Sequence, residues 1–131
     1  MEVLFNVKDG ELENASSFEI ACAAVKVLDT KKAGDIKVLK IDSKTTIADY
    51  FVICTGNSST QIKTLADEVE YQLGVGKVPY VRLEGTESDE WKVLDCHDII
   101  VHVFSIEARN FYKLEKLWAD AEEVDINSII G

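Results

Sequence analysis

Asp95, His97, Asp98 and His102 sit close together in the chain and are of the types that hold metal ions or pass protons. His102 falls inside the apolar run of residues 99–104. A lone histidine in such a run reads better as a hydrogen-bonded core residue than as a ligand. Asp95 and Asp98 flank the pair Cys96-His97, and aspartates so placed commonly satisfy the backbone of a turn. The chain offers no nucleophile with an evident base beside it. No catalytic and no metal-binding residue is therefore assigned.

Gly56-Asn57-Ser58-Ser59 is a second candidate. Backbone N–H groups at a strand-to-helix turn can cradle an anion, and glycine permits close approach. The same four residues also suit an ordinary strand exit and helix cap, and they lack the lysine of a phosphate-binding loop. Nucleotidyltransferases join a Gly-Ser turn to two acids one residue apart on a strand, where the two-residue period aims both at one magnesium ion. The comparable spacing here is Glu68-Val69-Glu70, within a helical pattern that turns the two acids about two hundred degrees apart. A nucleotidyltransferase-like nucleotide-binding enzyme is the alternative reading, and no cofactor is expected.

The third constellation carries recognition rather than reaction. Residues 84–98 hold Glu84, Glu87, Asp89, Glu90, Asp95 and Asp98 against the single cation Lys92, with Trp91 in the middle. Tryptophan offers large rigid area and one donor, which makes it a frequent interface anchor. An acidic rim around Trp91 and Val93 would suit a basic protein partner. Trp91 suits a core position equally well.

These residues need elements to position them. Phe18, Cys22, Val25 and Leu28 recur at helical spacing, flanked by Ile20, Ala24 and Val27, and Ser16 with Glu19 forms a capping box. A helix over residues 17–32 follows, with Gly34 suited to a left-handed C-terminal position. Residues 36–41 and 49–55 read as strands, the second an unbroken apolar run of the kind buried on both faces. Ser58 and Gln61 cap a second helix whose apolar face is Ile62, Leu65, Ala66, Val69 and Leu73, ended by Gly74 and Gly76. Strands over 80–84, 91–95 and 99–104 come next, the last two joined by a tight turn that wants positive φ at His97. A final helix over 106–121 would align Phe111, Leu114, Leu117, Trp118 and Ala121. The order implies an α/β fold: a single mixed sheet of about five strands with helices packed on it. The stretch from residue 49 to 84 suits a right-handed parallel crossover.

With 131 residues, 47% hydrophobic, the chain has the length of one domain and enough apolar material for a core without disulfides. The expected organisation is a flexible lead over 1–14, one domain over 15–121 and a C-terminal tail over 122–131. A net charge of -10 disfavours a phosphate backbone as partner, and no basic stripe of a nucleic-acid binder is present. The partner is expected to be basic, or the contact largely apolar. Cys22, Cys54 and Cys96 are scattered and read as small buried hydrophobes in a reducing compartment. No run reaches membrane-spanning length, and the acidic, arginine-free start fits neither a secretory signal nor an organellar transit segment. A cytoplasmic setting is expected.

Several segments in order carry a resemblance. The chain reads Ala48-Asp49-Tyr50-Phe51-Val52-Ile53-Cys54-Thr55-Gly56-Asn57-Ser58-Ser59, then Gln61, Ala66-Asp67, Glu84-Gly85, and Trp91-Lys92-Val93-Leu94-Asp95. Asp98-Ile99-Ile100-Val101-His102-Val103-Phe104 follows, then Arg109, Phe111-Tyr112, Leu114-Glu115 and Leu117-Trp118. Over residues 18–121 this resembles the ribosomal silencing factor, or Iojap, family. The resemblance implies a small α/β domain related to the nucleotidyltransferase fold, and homodimers when free. It implies binding to the large ribosomal subunit through ribosomal protein number fourteen, which sterically blocks joining of the small subunit and represses translation in nutrient limitation. Trp91, in the family's W-x-x-x-D stretch, carries over as the partner contact. Val93 and Asp95 share its strand face, and Tyr80 and Glu84 join by presumed strand adjacency. His97 departs from the family's usual glycine.

Overall fold

A computed structural model describes residues 5–130. The elements run α1 (Ser17–Thr30), β1 (Gly34–Lys40), β2 (Tyr50–Gly56), α2 (Ser59–Val75), β3 (Arg82–Glu84), β4 (Trp91–Asp95), β5 (Ile99–Ser105), α3 (Ile106–Tyr112), α4 (Leu114–Leu117), β6 (Glu122–Val124) and α5 (Asn127–Ile130). The strands form one six-stranded sheet in the order β3-β4-β5-β2-β1-β6. The sixth strand comes from the tail, too short and polar to register as a periodic pattern. It pairs antiparallel with β1, Val38 opposite Val124.

At the centre, β2 and β5 pair in parallel, from Tyr50 opposite Ile99 to Gly56 opposite Ser105. Every other pairing is antiparallel. The segment from β2 through α2 to β3 does join parallel strands, but β3 is not beside β2. It lies on the far edge, paired with β4.

One face of the sheet is covered by α1 and α2. Val38, Val52, Cys54, Leu94, Val101 and Val103 bury there against Val25, Leu28, Leu65 and Leu73. Each such aliphatic side chain contributes roughly 1.5–3 kcal/mol on burial. The apolar face expected of α2 is buried throughout, joined by Gln72. In α1 the buried face is rotated from the expected one: Ala21, Ala24, Val25 and Leu28 are buried, while Phe18 is 41% exposed and Cys22 only half-buried. Small alanines let α1 approach the sheet, and the larger Phe18 is left at the rim against Tyr50.

The Ser16–Glu19 capping box forms as expected, and its hydrogen bonds hold the Glu19 carboxyl below its usual range. Lys32, with φ 63, takes the left-handed position after α1 that Gly34 was expected to fill. Gly34 opens β1 instead, where a Cβ would lie 2.7 Å from the Thr55 hydroxyl. His97 adopts φ 63 in the hairpin turn, as its position requires. No helix among the described residues is long and apolar enough to cross a membrane.

Within the described residues, the segment ahead of α1 is packed on α2. Val7 and Leu12 are buried, and the backbone of Gly10 and Leu12 donates to the Val75 and Gly76 carbonyls. The buried Gln72 amide closes this contact: its oxygen accepts from Val7 N–H at 2.8 Å and its nitrogen donates to Asn6 at 2.9 Å and Glu68 at 3.0 Å. At the other end, Ile126, Ile129 and Ile130 pack against the same core. Gln72→Ala strands the buried Val7 N–H and is expected to cost about 1–3 kcal/mol in urea unfolding. An unchanged midpoint would mean water replaces the amide without penalty.

Candidate functional interface

The second face of the sheet is only partly covered. Here α3 and α4 lie over Leu39, Ile41, Phe51, Ile53 and Phe104, with Leu114, Trp118 and Ala121 packed in. Along β4, Lys92 and Leu94 are buried while Trp91, Val93 and Asp95 are each half-buried. Antiparallel partners share a face. Thus Trp91 lies opposite Phe104, Val93 opposite His102, and Asp95 opposite Ile100. On the other side, Glu84 lies opposite Val93 and Arg82 opposite Asp95. Four of the five residues picked from the sequence, Trp91, Val93, Asp95 and Glu84, are therefore neighbours on one face. Tyr80 is set apart from Trp91. It precedes β3 at the hairpin end of the face, stacked on His97 with ring centroids 4.0 Å apart.

Trp91 is the centre of an aromatic cluster. Its indole stacks on Phe104 at 4.8 Å and meets Tyr112 at 4.9 Å. The indole N–H donates to His102 Nδ1 at 3.2 Å. His102 packs edge-on to Phe51 at 4.8 Å, and Phe51 continues to Trp118 at 5.5 Å. Alongside, Phe111 is 79% exposed, Leu117 76%, and Ile106 and Tyr112 each 52%. Glu90, Glu107 and Ala108 line a shallow depression with Phe111 and Tyr112. The result is an exposed apolar patch with a carboxylate rim beside a half-buried tryptophan. Scattered exposed apolar residues are ordinary; their grouping beside a half-buried tryptophan makes this face the candidate interface.

Phe111 and Tyr112 join this patch because the single helix that periodicity predicts over 106–121 does not form. The helix breaks at Lys113, which adopts φ 50. In an unbroken helix Arg109 and Glu115 would lie about 120° apart. The break lets Glu115 turn back to the buried Arg109 at 3.4 Å, while Arg109 also donates to the Asp35 carbonyl and faces the Asp35 carboxylate at 3.5 Å. A buried arginine lacking acidic partners would be costly. Leu114 and Trp118 then face the sheet, and Phe111 and Leu117 face outward.

The acidic segment is held by its one cation. Lys92 is buried, and its ammonium donates to the Thr86 carbonyl at 2.8 Å and the Gly85 carbonyl at 3.3 Å. It fixes the loop without neutralising a carboxylate. Glu84 pairs with exposed Arg82 at 3.4 Å, a contact worth little in water.

The metal candidates are dispersed. Asp95 accepts from the His97 backbone N–H at 2.9 Å, His97 stacks on Tyr80, and His102 faces Trp91. Among the described residues no group of three or more His, Cys, Asp or Glu could hold a metal ion. The turn at residues 56–59 does open into a pocket at the carboxyl ends of β2 and β5, where parallel sheets commonly bind ligands. Its charged lining is Asp89, Glu90 and Glu107, with no basic side chain. Three carboxylates oppose a phosphate. The turn's polar groups are also committed to the helix: Ser58 Oγ accepts from Gln61 N–H, and Gln61 accepts from Asn57 N–H. Burial pushes the Cys54 and Cys96 thiols up to about 12, so neither is a nucleophile at neutral pH.

A family model described as "Ribosomal silencing factor during starvation" matches residues 14–130. This chain belongs to the ribosomal silencing factor family. The silencing factor RsfS of Halalkalibacterium halodurans is 38% identical over 116 residues, covering 88% of this chain and 99% of that one. A crystal structure of a Chromobacterium violaceum protein aligns with a TM-score of 0.77 at 33% identity, over 79% of this chain and 87% of that one. The mouse protein named mitochondrial assembly of ribosomal large subunit protein 1 is 32% identical over 97 residues, 72% of this chain and 42% of its own length. In this silencing-factor chain the mixed α/β sheet is thus the architecture shared with its solved relatives.

Burial holds the His102 imidazole down to about 4 from its ordinary 6.5. The folded protein keeps this ring neutral where the unfolded chain would protonate it. Between those two values the unfolded state binds more protons, so stability falls as pH is lowered from about 6.5 to about 4, by up to ~3 kcal/mol. Urea midpoints across that window check this. His102→Asn should flatten the slope, and an equal slope in the variant would assign the loss to other groups.

Proposed function

We propose that this chain docks on the large ribosomal subunit through a basic ribosomal protein, number fourteen, and sterically prevents the small subunit from joining. Translation is thereby repressed when nutrients are scarce. The observation that supports this reading most strongly is the half-buried Trp91 beside exposed Phe111 and Tyr112, rimmed by Glu90 and Glu107. An anchor in an apolar patch with an acidic border suits a basic protein surface. The net charge of -10 favours a protein contact over the surrounding RNA. The family description and the mouse relative's name, which specifies assembly of the ribosomal large subunit, point the same way.

In this reading Trp91 inserts into the partner, Val93 and Asp95 extend the contact along β4, Glu84 adds charge from β3, and Tyr80 lies at its margin. Occupancy of space suffices: no turnover, cofactor or base-specific nucleic-acid contact is required. The chain acts in the cytoplasm and pairs as a homodimer when free, which sedimentation equilibrium tests directly.

Co-sedimentation with large subunits, with and without added small subunits, tests the mechanism. Mutual exclusion is expected, and stable co-occupancy of one particle would contradict a steric block. Trp91→Ala is expected to weaken large-subunit binding by about 2 kcal/mol or more, roughly thirtyfold, while the circular dichroism spectrum stays native. Undiminished pelleting of that variant would remove Trp91 from the interface.

A further inference from the structure

We infer that His102 is a positioning residue for recognition: its Nδ1, by accepting the Trp91 indole N–H, fixes the indole in the orientation that the partner meets. The inference rests on Trp91 being the docking anchor and deepens that reading.

On β5, His102 lies across from Val93 on β4 and from Ile53 on β2, at a place where its neighbours along the sheet are aliphatic. It is 6% exposed, enclosed by Phe51, Phe104 and Trp91. Accepting from the indole at 3.2 Å requires Nδ1 to be unprotonated, which places the ring proton on Nε2. That second nitrogen is buried and has no hydrogen-bond partner. A core position selected for packing alone would carry valine, isoleucine or leucine, with no polar atom to desolvate. The side chain instead keeps one unsatisfied nitrogen in order to offer the other to Trp91.

The rotamer of Trp91 needs such a partner. The indole is only half-buried, at the edge of the region that α3 covers. Stacking on Phe104 fixes the plane of the ring but leaves it free to turn over, since both orientations present a flat face. A hydrogen bond is directional and selects one of them. An anchor already held in its bound orientation avoids the entropy cost of being ordered at docking.

The test compares three full-length variants. His102→Leu removes the acceptor at similar volume. His102→Asn offers an oxygen near the position of Nδ1. His102→Phe keeps a ring against Phe51 without an acceptor and carries the comparison should the leucine variant not fold. Hydrogen exchange of the Trp91 indole N–H is read by NMR in the free protein, with Trp118→Phe used to assign the two indole signals. Affinity for purified large subunits is read by co-sedimentation. The leucine and phenylalanine variants are expected to exchange the Trp91 indole at least about tenfold faster and to bind about tenfold more weakly, with the asparagine variant restoring most of both. Unchanged exchange in a folded acceptor-less variant, or an asparagine variant no better than leucine, would reduce His102 to packing and overturn the inference. Faster exchange with undiminished binding, in Trp91→Ala as well, would instead sink the docking reading on which it stands.

Discussion

Two strands far apart in the chain, β2 and β5, run side by side and parallel at the middle of the sheet. A parallel pair cannot be closed by a tight turn and must be buried on both faces to be stable. Both demands shape this molecule. The return from β2 to β5 passes through α2 and then the β3–β4 hairpin strands, which are laid on the outer side of β5. One face of the central pair is sealed by α1 and α2, and the other by the shorter α3 and α4. The shorter pair seals the centre and stops. Beyond it, β4 presents alternate side chains to the surface, and Trp91 is the first of them. The candidate interface is thus where a sheet that needs two covers has been given one and a half.

What limits the second cover is the turn at Lys113. Two non-glycine residues with positive φ, Asp35 at 43 and Lys113 at 50, are tied together through Arg109, whose side chain reaches the Asp35 carbonyl and whose own carbonyl accepts from Lys113. Left-handed backbone at such residues costs on the order of 1 kcal/mol each. The buried guanidinium, with Asp35 and Glu115 around it, offsets that strain and holds the helix broken. An uninterrupted helix would continue past Tyr112 and change which side chains face out. The exposed aromatic patch depends on an ion-pair arrangement that touches none of its members except through the backbone.

Elements with strong local signals were readable from the chain. The capping box of α1, the Ser58 cap of α2, the apolar face of α2, the doubly buried run of β2 and the positive φ at His97 all follow from residue types within a few positions, although Gln61 reaches back to the Asn57 N–H rather than closing a second box on Ser58. The grouping of Trp91, Val93, Asp95 and Glu84 was also legible, because strand periodicity and a short hairpin determine a face. What escaped was set by distant partners. The break at Lys113 is decided by Asp35, far away in sequence, and β6 exists only because β1 has a free edge for it. The rotation of α1 follows from how closely its alanines can approach the sheet, which a periodicity count does not weigh. Tyr80 was placed by adjacency, but adjacency along an edge strand says nothing of which end of the neighbour it meets.

Two places on this sheet could have held its function, and they differ in how their polar groups are spent. At the carboxyl ends of β2 and β5, the Ser58 and Ser105 hydroxyls cap α2 and α3, and the charged side chains lining the pocket are carboxylates. A nucleotide brought there would meet three carboxylates and no cationic side chain. Around the open face the polar groups are spent on orientation: Lys92 holds the loop from the opposite side of β4, Arg109 holds the helix break, and His102 takes the indole hydrogen. Each of these buried groups serves a shape rather than a reacting atom. On the docking reading proposed above, interior polar atoms committed to fixing one exposed aromatic surface serve a meeting with another surface, and a ring held in place before contact is the form that such a commitment would take.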